Sequence, residues 1–251
     1  MTAARTILLL VAGALAGTVG SAGGTASLIS YPVLLAVGLP PLAANVTNSI
    51  AFVAAWPGSA LASRPELAGQ RPFLRRVAPL ALAGSAAGAA LLLVTPSRTF
   101  DLVVPYLLAF AALAVALQPR VSAWLERHAG RGRRLLLPGG LIAASAYDGY
   151  WGAGAGVLTL AVLMIATDQP LARCNALKNM VLGLADVTCC VVFICCWSVD
   201  WAAAVPMAAG LLAGSMIGPS LTRRVPARLL RVVVAAAGLG LAVHLWTESY
   251  L

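Results

Sequence analysis

Asp148 and Asp186 are carboxylic acids that stand deep inside long apolar stretches of this chain. A charged side chain at the centre of a bilayer costs at least about 2.5–3.5 kcal/mol on insertion scales. Such a residue is kept for a partner, for a proton or as a gate. Asp186 lies about ten residues into its apolar run, about 15 Å along a helix and so near mid-depth. Two short polar runs could share a path with these acids. Asn45, Thr47, Asn48 and Ser49 form one, and Asn175, Lys178 and Asn179 the other. Amides donate to oxyanions without the desolvation cost of a charge. The same groups could instead bond neighbouring helices, worth about 0.6 kcal/mol on average in a membrane. Lys178 falls about two residues inside its expected helix. It is expected to snorkel to the interface; the alternative is that it draws anions toward the pathway.

Glycine runs interrupt two 32-residue apolar stretches, 6–37 and 135–166. One contains Gly20, Ser21, Gly23, Gly24 and Thr25; the other contains Tyr147, Asp148, Gly152, Gly154 and Gly156. As a single helix each stretch would measure about 48 Å against a hydrocarbon core of about 30 Å. Glycine runs are poor helix interior. Each stretch is therefore an overlong broken crossing or a re-entrant hairpin. In a hairpin the second arm starts at mid-membrane, near Thr25 and near Gly156. A helix start carries about half a positive charge and free N–H groups. Two such starts meeting from opposite sides make an anion site without a basic side chain. The alternative is that the glycines only permit close helix packing.

Stepping out to the whole chain, 61% of the residues are apolar and 10% charged. Soluble domains run at about 45–50% and about 25%. That excludes a soluble enzyme, a disulfide scaffold and a disordered tail, and leaves a polytopic membrane protein. The net charge of +9 comes from short arginine clusters between apolar runs. That is how cytoplasmic loops look, so no nucleic-acid partner is expected. Cys174, Cys189, Cys190, Cys195 and Cys196 lie in one apolar stretch and its approach. The two adjacent pairs point to several faces of one helix, poor tetrahedral geometry. They are read as small apolar filler, with no metal and no cofactor.

Six segments are expected to cross: 43–62, 77–96, 99–118, 176–197, 201–221 and 227–246. With both broken stretches as hairpins, 15 basic residues fall on one side and two, Arg5 and Arg98, on the other. The positive-inside rule makes the rich side cytoplasmic and puts both termini outside. The expected fold is all-α and polytopic, with two inverted repeats at 1–118 and 135–251 joined by a basic linker at 119–134. Each repeat is a hairpin (6–37, 135–166) plus three helices. Pro41-Leu42-Ala43 and Pro170-Leu171-Ala172 echo each other after the two hairpins. Such repeats with glycine-broken segments point to a secondary transporter and its midplane site.

The ordered set Gly20-Ser21-Ala22-Gly23-Gly24, Tyr31-Pro32, Ala43-Ala44-Asn45-Val46-Thr47-Asn48-Ser49 and Tyr147 through Gly156 resembles the TauE/SafE sulfite-exporter family of bacterial membrane transporters. The likeness spans nearly the whole chain. It implies a cell-membrane transporter exporting sulfite, sulfonates or similar small anions, not an enzyme. The partners it implies are a small anionic substrate and the lipid bilayer; a homo-oligomer stays open.

A monoanion leaving an inside-negative cell already runs downhill, by about 2.3 kcal/mol per 100 mV. Export therefore needs no ion coupling unless the outside concentration is high, and Asp148 and Asp186 are read as gating or coupling residues, with Asp186 the better candidate if protons are carried. Two rival readings exist. Tyr147-Asp148 and Gly183-Leu184-Ala185-Asp186 resemble intramembrane aspartyl proteases, but Ala185 stands where that family has glycine. A non-transporting membrane assembly factor is the other.

Overall fold

The computed structural model describes residues 2–128, 133–221 and 227–250. Among them every regular element is a helix. The first half holds α1 (Ala3–Gly23), α2 (Ser27–Ala36), α3 (Pro41–Phe52), α4 (Ala55–Ala62), α5 (Arg64–Leu67), α6 (Arg71–Val94) and α7 (Ser97–His128). The second holds α8 (Arg133–Tyr150), α9 (Ala155–Ala166), α10 (Leu171–Cys196), α11 (Trp201–Leu221) and α12 (Ala227–Tyr250). By length and apolarity, α1, α6, α10, α11 and the Ser97–Leu117 part of α7 suffice to cross a bilayer. Large apolar side chains such as Ile7, Val94, Val191, Val205 and Ile217 face outward. In water that surface would be an aggregation liability; in lipid it is at home.

Proline and glycine set the element ends. Pro41 opens α3 and Pro170 caps the start of α10, where a missing N–H is harmless. Gly24 ends α1 with φ 78°, and its N–H returns 2.7 Å to the Gly20 carbonyl. That left-handed cap suits glycine because it has no Cβ. The segment expected as one helix at 43–62 is two helices parted at Val53–Ala54. Pro57 explains the break, since it has no N–H for the Val53 carbonyl and its ring crowds that group. The α10 helix begins at Leu171, five residues earlier than expected. The α7 helix runs to His128, so much of the expected linker 119–134 is helical. The remainder of that linker at 129–132, and part of the basic loop 222–231, lie outside the described residues.

The broadest interfaces are α1 on α11, α6 on α8 and α7 on α12. The first two use small residues. A Cβ on Gly13 would sit 3.1 Å from the Gly210 Cα, and one on Gly149 would sit 3.0 Å from the Ala89 nitrogen. Close backbone approach is how membrane helices gain dispersion energy where lipid removes the hydrophobic drive. The α9 helix lies back along α8: a Cβ on Gly140 would meet Val162 at 2.8 Å. Leu141, Leu160 and Leu163 share one apolar cluster with Val77, Leu177 and Val181, which ties this pair to α6 and α10.

Candidate functional site

The glycine breaks after α1 and α8 meet. A Cβ on Gly24 would stand 2.6 Å from the Gly156 carbonyl carbon and 2.9 Å from the Val157 nitrogen. Gly156 in turn has no room for a Cβ against the Gly24 Cα. Here two backbones touch, and only glycine allows it. The second break has further features of its own. Gly152 and Gly154 carry φ 79° and 82°. The Tyr147 hydroxyl donates 2.8 Å to the Ala153 carbonyl inside the turn. Trp151 is buried against Tyr31 and Phe100, at ring separations of 4.8 and 5.7 Å.

Beside the meeting point lies a cavity of about 80 Å³ of water-accessible space. One water occupies about 10–15 Å³ on that measure, so several waters or one small polyatomic ion fit. The first break contributes Gly20, Ser21, Gly24 and Ser27; the second contributes Asp148, Gly152 and Gly156. From α3 and α4 come Asn48, Ser49, Trp56 and Ser59, and from α10 Asn179, Leu182, Gly183 and Asp186. These α10 residues bracket its midpoint, so the cavity sits half-way along the longest continuous helix that lines it. Helices α2 and α9 both begin at the wall. Their free N–H ends add positive potential there. Three buried polar atoms of the lining have no hydrogen-bond partner: Asp148 Oδ2, Asn48 Oδ1 and Trp56 Nε1.

The expected site residues divide into three groups. Gly20, Ser21, Gly24, Asn48, Asp148, Gly152, Gly156, Asn179 and Asp186 line the cavity. Asn45, Asn175, Lys178 and Tyr147 stand behind it and hold backbone. Asn45 Nδ2 donates 3.1 Å to the Tyr150 carbonyl at the end of α8. Asn175 and Asn179 donate to the Ser21 carbonyl at 2.9 and 3.1 Å. Lys178 Nζ donates 3.1 Å to the Gly20 carbonyl. Lys178 is fully buried, so the snorkelling expectation is corrected. The reason is the early start of α10, which carries residue 178 two turns into the helix rather than half of one. Thr25 and Thr47 are buried outside the lining, Gly23 faces open space, and Gly154 packs on Ala111.

Sequence reasoning missed Trp56, which closes one wall over Gly183; a Cβ on Gly183 would run into the indole. A tryptophan in mid-segment, far from either interface, was the available signal. It also missed that Ser85 meets Cys189 at 3.0 Å while donating 2.7 Å to the Ala185 carbonyl, which ties α6 to α10 next to Asp186 in sequence.

An apolar outer surface, crossing-length helices and one polar cavity half-way along them define a polytopic membrane transporter. Residues 9–245 match the family model described as sulfite exporter TauE/SafE, and the chain belongs to that family. It is 24% identical over 243 residues to a probable membrane transporter protein ORF9 of a Sinorhizobium species, covering 96% of this chain and 92% of the relative. It is 25% identical over 244 residues to the probable membrane transporter protein YfcA of Escherichia coli K12, covering 94% and 87%. No solved structure matches the chain.

Proposed function

We propose that this transporter exports a small sulfur oxyanion of the sulfite or sulfonate class through the cavity between the two glycine breaks. The observation that carries the reading is the contact of Gly24 with Gly156 beside a polar, ion-sized cavity. Two helix starts, the Ser27 hydroxyl and the Trp56 N–H offer donors to an oxyanion without a basic side chain on the wall. The family's description as a sulfite exporter supports the sulfur anion. We further propose that the halves are inverted repeats with re-entrant hairpins, both termini outside. Reciprocal packing supports this: α1 lies on α11 as α8 lies on α6, and Asn45 holds the end of α8 as Asn175 holds the end of α1. Asp148 and Asp186 also face one cavity, as a protease dyad would. The family match favours transport, and no processing role is assigned.

The test is uptake of sulfite, methanesulfonate, sulfate and thiosulfate into inside-out vesicles bearing the protein. Protein-dependent accumulation of at least one is expected; none from the panel would sink the substrate reading. Reporter fusions at residue 120 and at the C-terminus should report opposite sides. The same side from both would break the inverted-repeat topology.

A further inference from the structure

We propose that the cavity carries one proton with each anion, so that the transport step moves no net charge. The proposal rests on the cavity being the substrate site. Asp148 comes from α8 and Asp186 from α10, and both line the one cavity. The walls supplied by α1, α2, α3, α4 and α9 hold glycine, alanine, serine, asparagine, phenylalanine and tryptophan, none of which titrates. Lys178 of α10 is the one buried ammonium among the described residues, and its Nζ bonds the Gly20 carbonyl behind the first break. The Tyr147 hydroxyl is spent on the Ala153 carbonyl, and the Cys189 thiol meets the Ser85 hydroxyl.

Two carboxyls sharing one small cavity do not both ionise. In the empty site one proton is therefore shared between them, and a single negative charge remains on the pair. Asp148 is 7% exposed and its Oδ2 meets no donor within the protein. A monoanion arriving beside the remaining carboxylate recreates the same like-charge contact. The same rule then demands a second proton. The cavity thus alternates between one carboxylate with no anion, and one anion with both carboxyls neutral. Anion and proton enter from one side and leave on the other. No bond within the anion breaks and nothing is oxidised.

Such a step differs from the expected potential-driven, uncoupled export. A step that moves no net charge ignores membrane potential. Its direction follows the product of anion and proton concentrations, so one pH unit balances about a tenfold anion gradient. An acidic exterior then favours inward movement, and export requires a correspondingly large internal excess of the anion.

The experiment uses the full chain in proteoliposomes with an internal pH dye, protein-free liposomes as control, and potential clamped with potassium and valinomycin. Sulfite and methanesulfonate are the probes. At zero potential, one unit of inward acid gradient should accumulate the anion about tenfold. One proton should enter per anion, and 100 mV of either sign should not move the endpoint. Asp186→Asn and Asp148→Asn should lose the proton flux, and their endpoints should then follow voltage. A wild-type endpoint that follows voltage and ignores pH overturns the proposal. Coupling that survives in both variants overturns its assignment to this carboxyl pair. If neither variant folds, the wild-type endpoint decides. No protein-dependent flux of either probe overturns the substrate reading itself, and this proposal with it.

Discussion

The first glycine break is held from outside by three side chains of α10, the second by one side chain of α3 and by its own aromatic residues. Asn175, Lys178 and Asn179 are spaced three and four apart, so they share a helix face and reach the Gly20 and Ser21 carbonyls together. At the second break Asn45 alone reaches the Tyr150 carbonyl, while Trp151 wedges between Tyr31 and Phe100. Asn48 stands three residues after Asn45, as Lys178 stands three after Asn175, yet its Oδ1 meets no donor. The carbonyl end of a helix carries about half a negative charge. Lys178 neutralises that end of α1. The end of α8 has Asp148 in its last turn and no cation. A base therefore stands behind one break and an acid at the other, which gives the cavity two unlike ends.

The largest expected effect tests what the breaks share. Gly24→Val and Gly156→Val each force a branched side chain into the opposite backbone, and Gly24 also needs positive φ. Transport should fall to background in both, with protein still in the membrane by immunoblot. Gly23→Ala, where a Cβ meets open space, should transport like wild type. If Gly156→Val transports normally, the breaks do not act as a pair.

A smaller effect separates them. Lys178→Met removes a buried ammonium and keeps its length, so relief of burial offsets the lost bond and abundance should hold. Anion flux should drop at least about tenfold, because charge-assisted bonds are worth roughly 1.5–3 kcal/mol. Asn45→Ala removes one neutral bond of about 1 kcal/mol, and flux should drop roughly fivefold. Equal losses in initial-rate assays would mean that the charge behind the first break does no more than a neutral bond.

The smallest expected effect concerns packing at the second break. Trp151→Phe keeps an aromatic ring between Tyr31 and Phe100 and gives up part of the buried area. A cost of about 1 kcal/mol should lower Tm in detergent by about 2–4 °C. A loss of 10 °C or more would make Trp151 a keystone of the break rather than filler beside it.

Much of this was legible before any coordinates. The glycine breaks were visible because two apolar stretches are too long for one crossing and are interrupted in mid-run. The paired amides were visible because Asn45 and Asn175 follow the same Pro-Leu-Ala echo. The same echo also marked the starts of α3 and α10, since proline belongs in a first turn. Reading it as a helix start would have buried Lys178 correctly. Pro57 likewise announced the interruption between α3 and α4, but the apolar run around it concealed the break.

Composition and period determined the membrane class, the all-helical content and the two broken segments, because each of these follows from local residue chemistry and the thickness of a bilayer. Tertiary structure alone decided that Gly24 touches Gly156, that Trp56 covers Gly183, and that Asp148 and Asp186 share one cavity. Those residues lie on different helices, and which helix faces which depends on small-residue interfaces such as α1 on α11 and α6 on α8. A single chain's hydrophobic pattern records that a face is apolar or small. It does not record the partner, since in lipid every apolar face looks alike until the backbones are close enough to exclude other pairings.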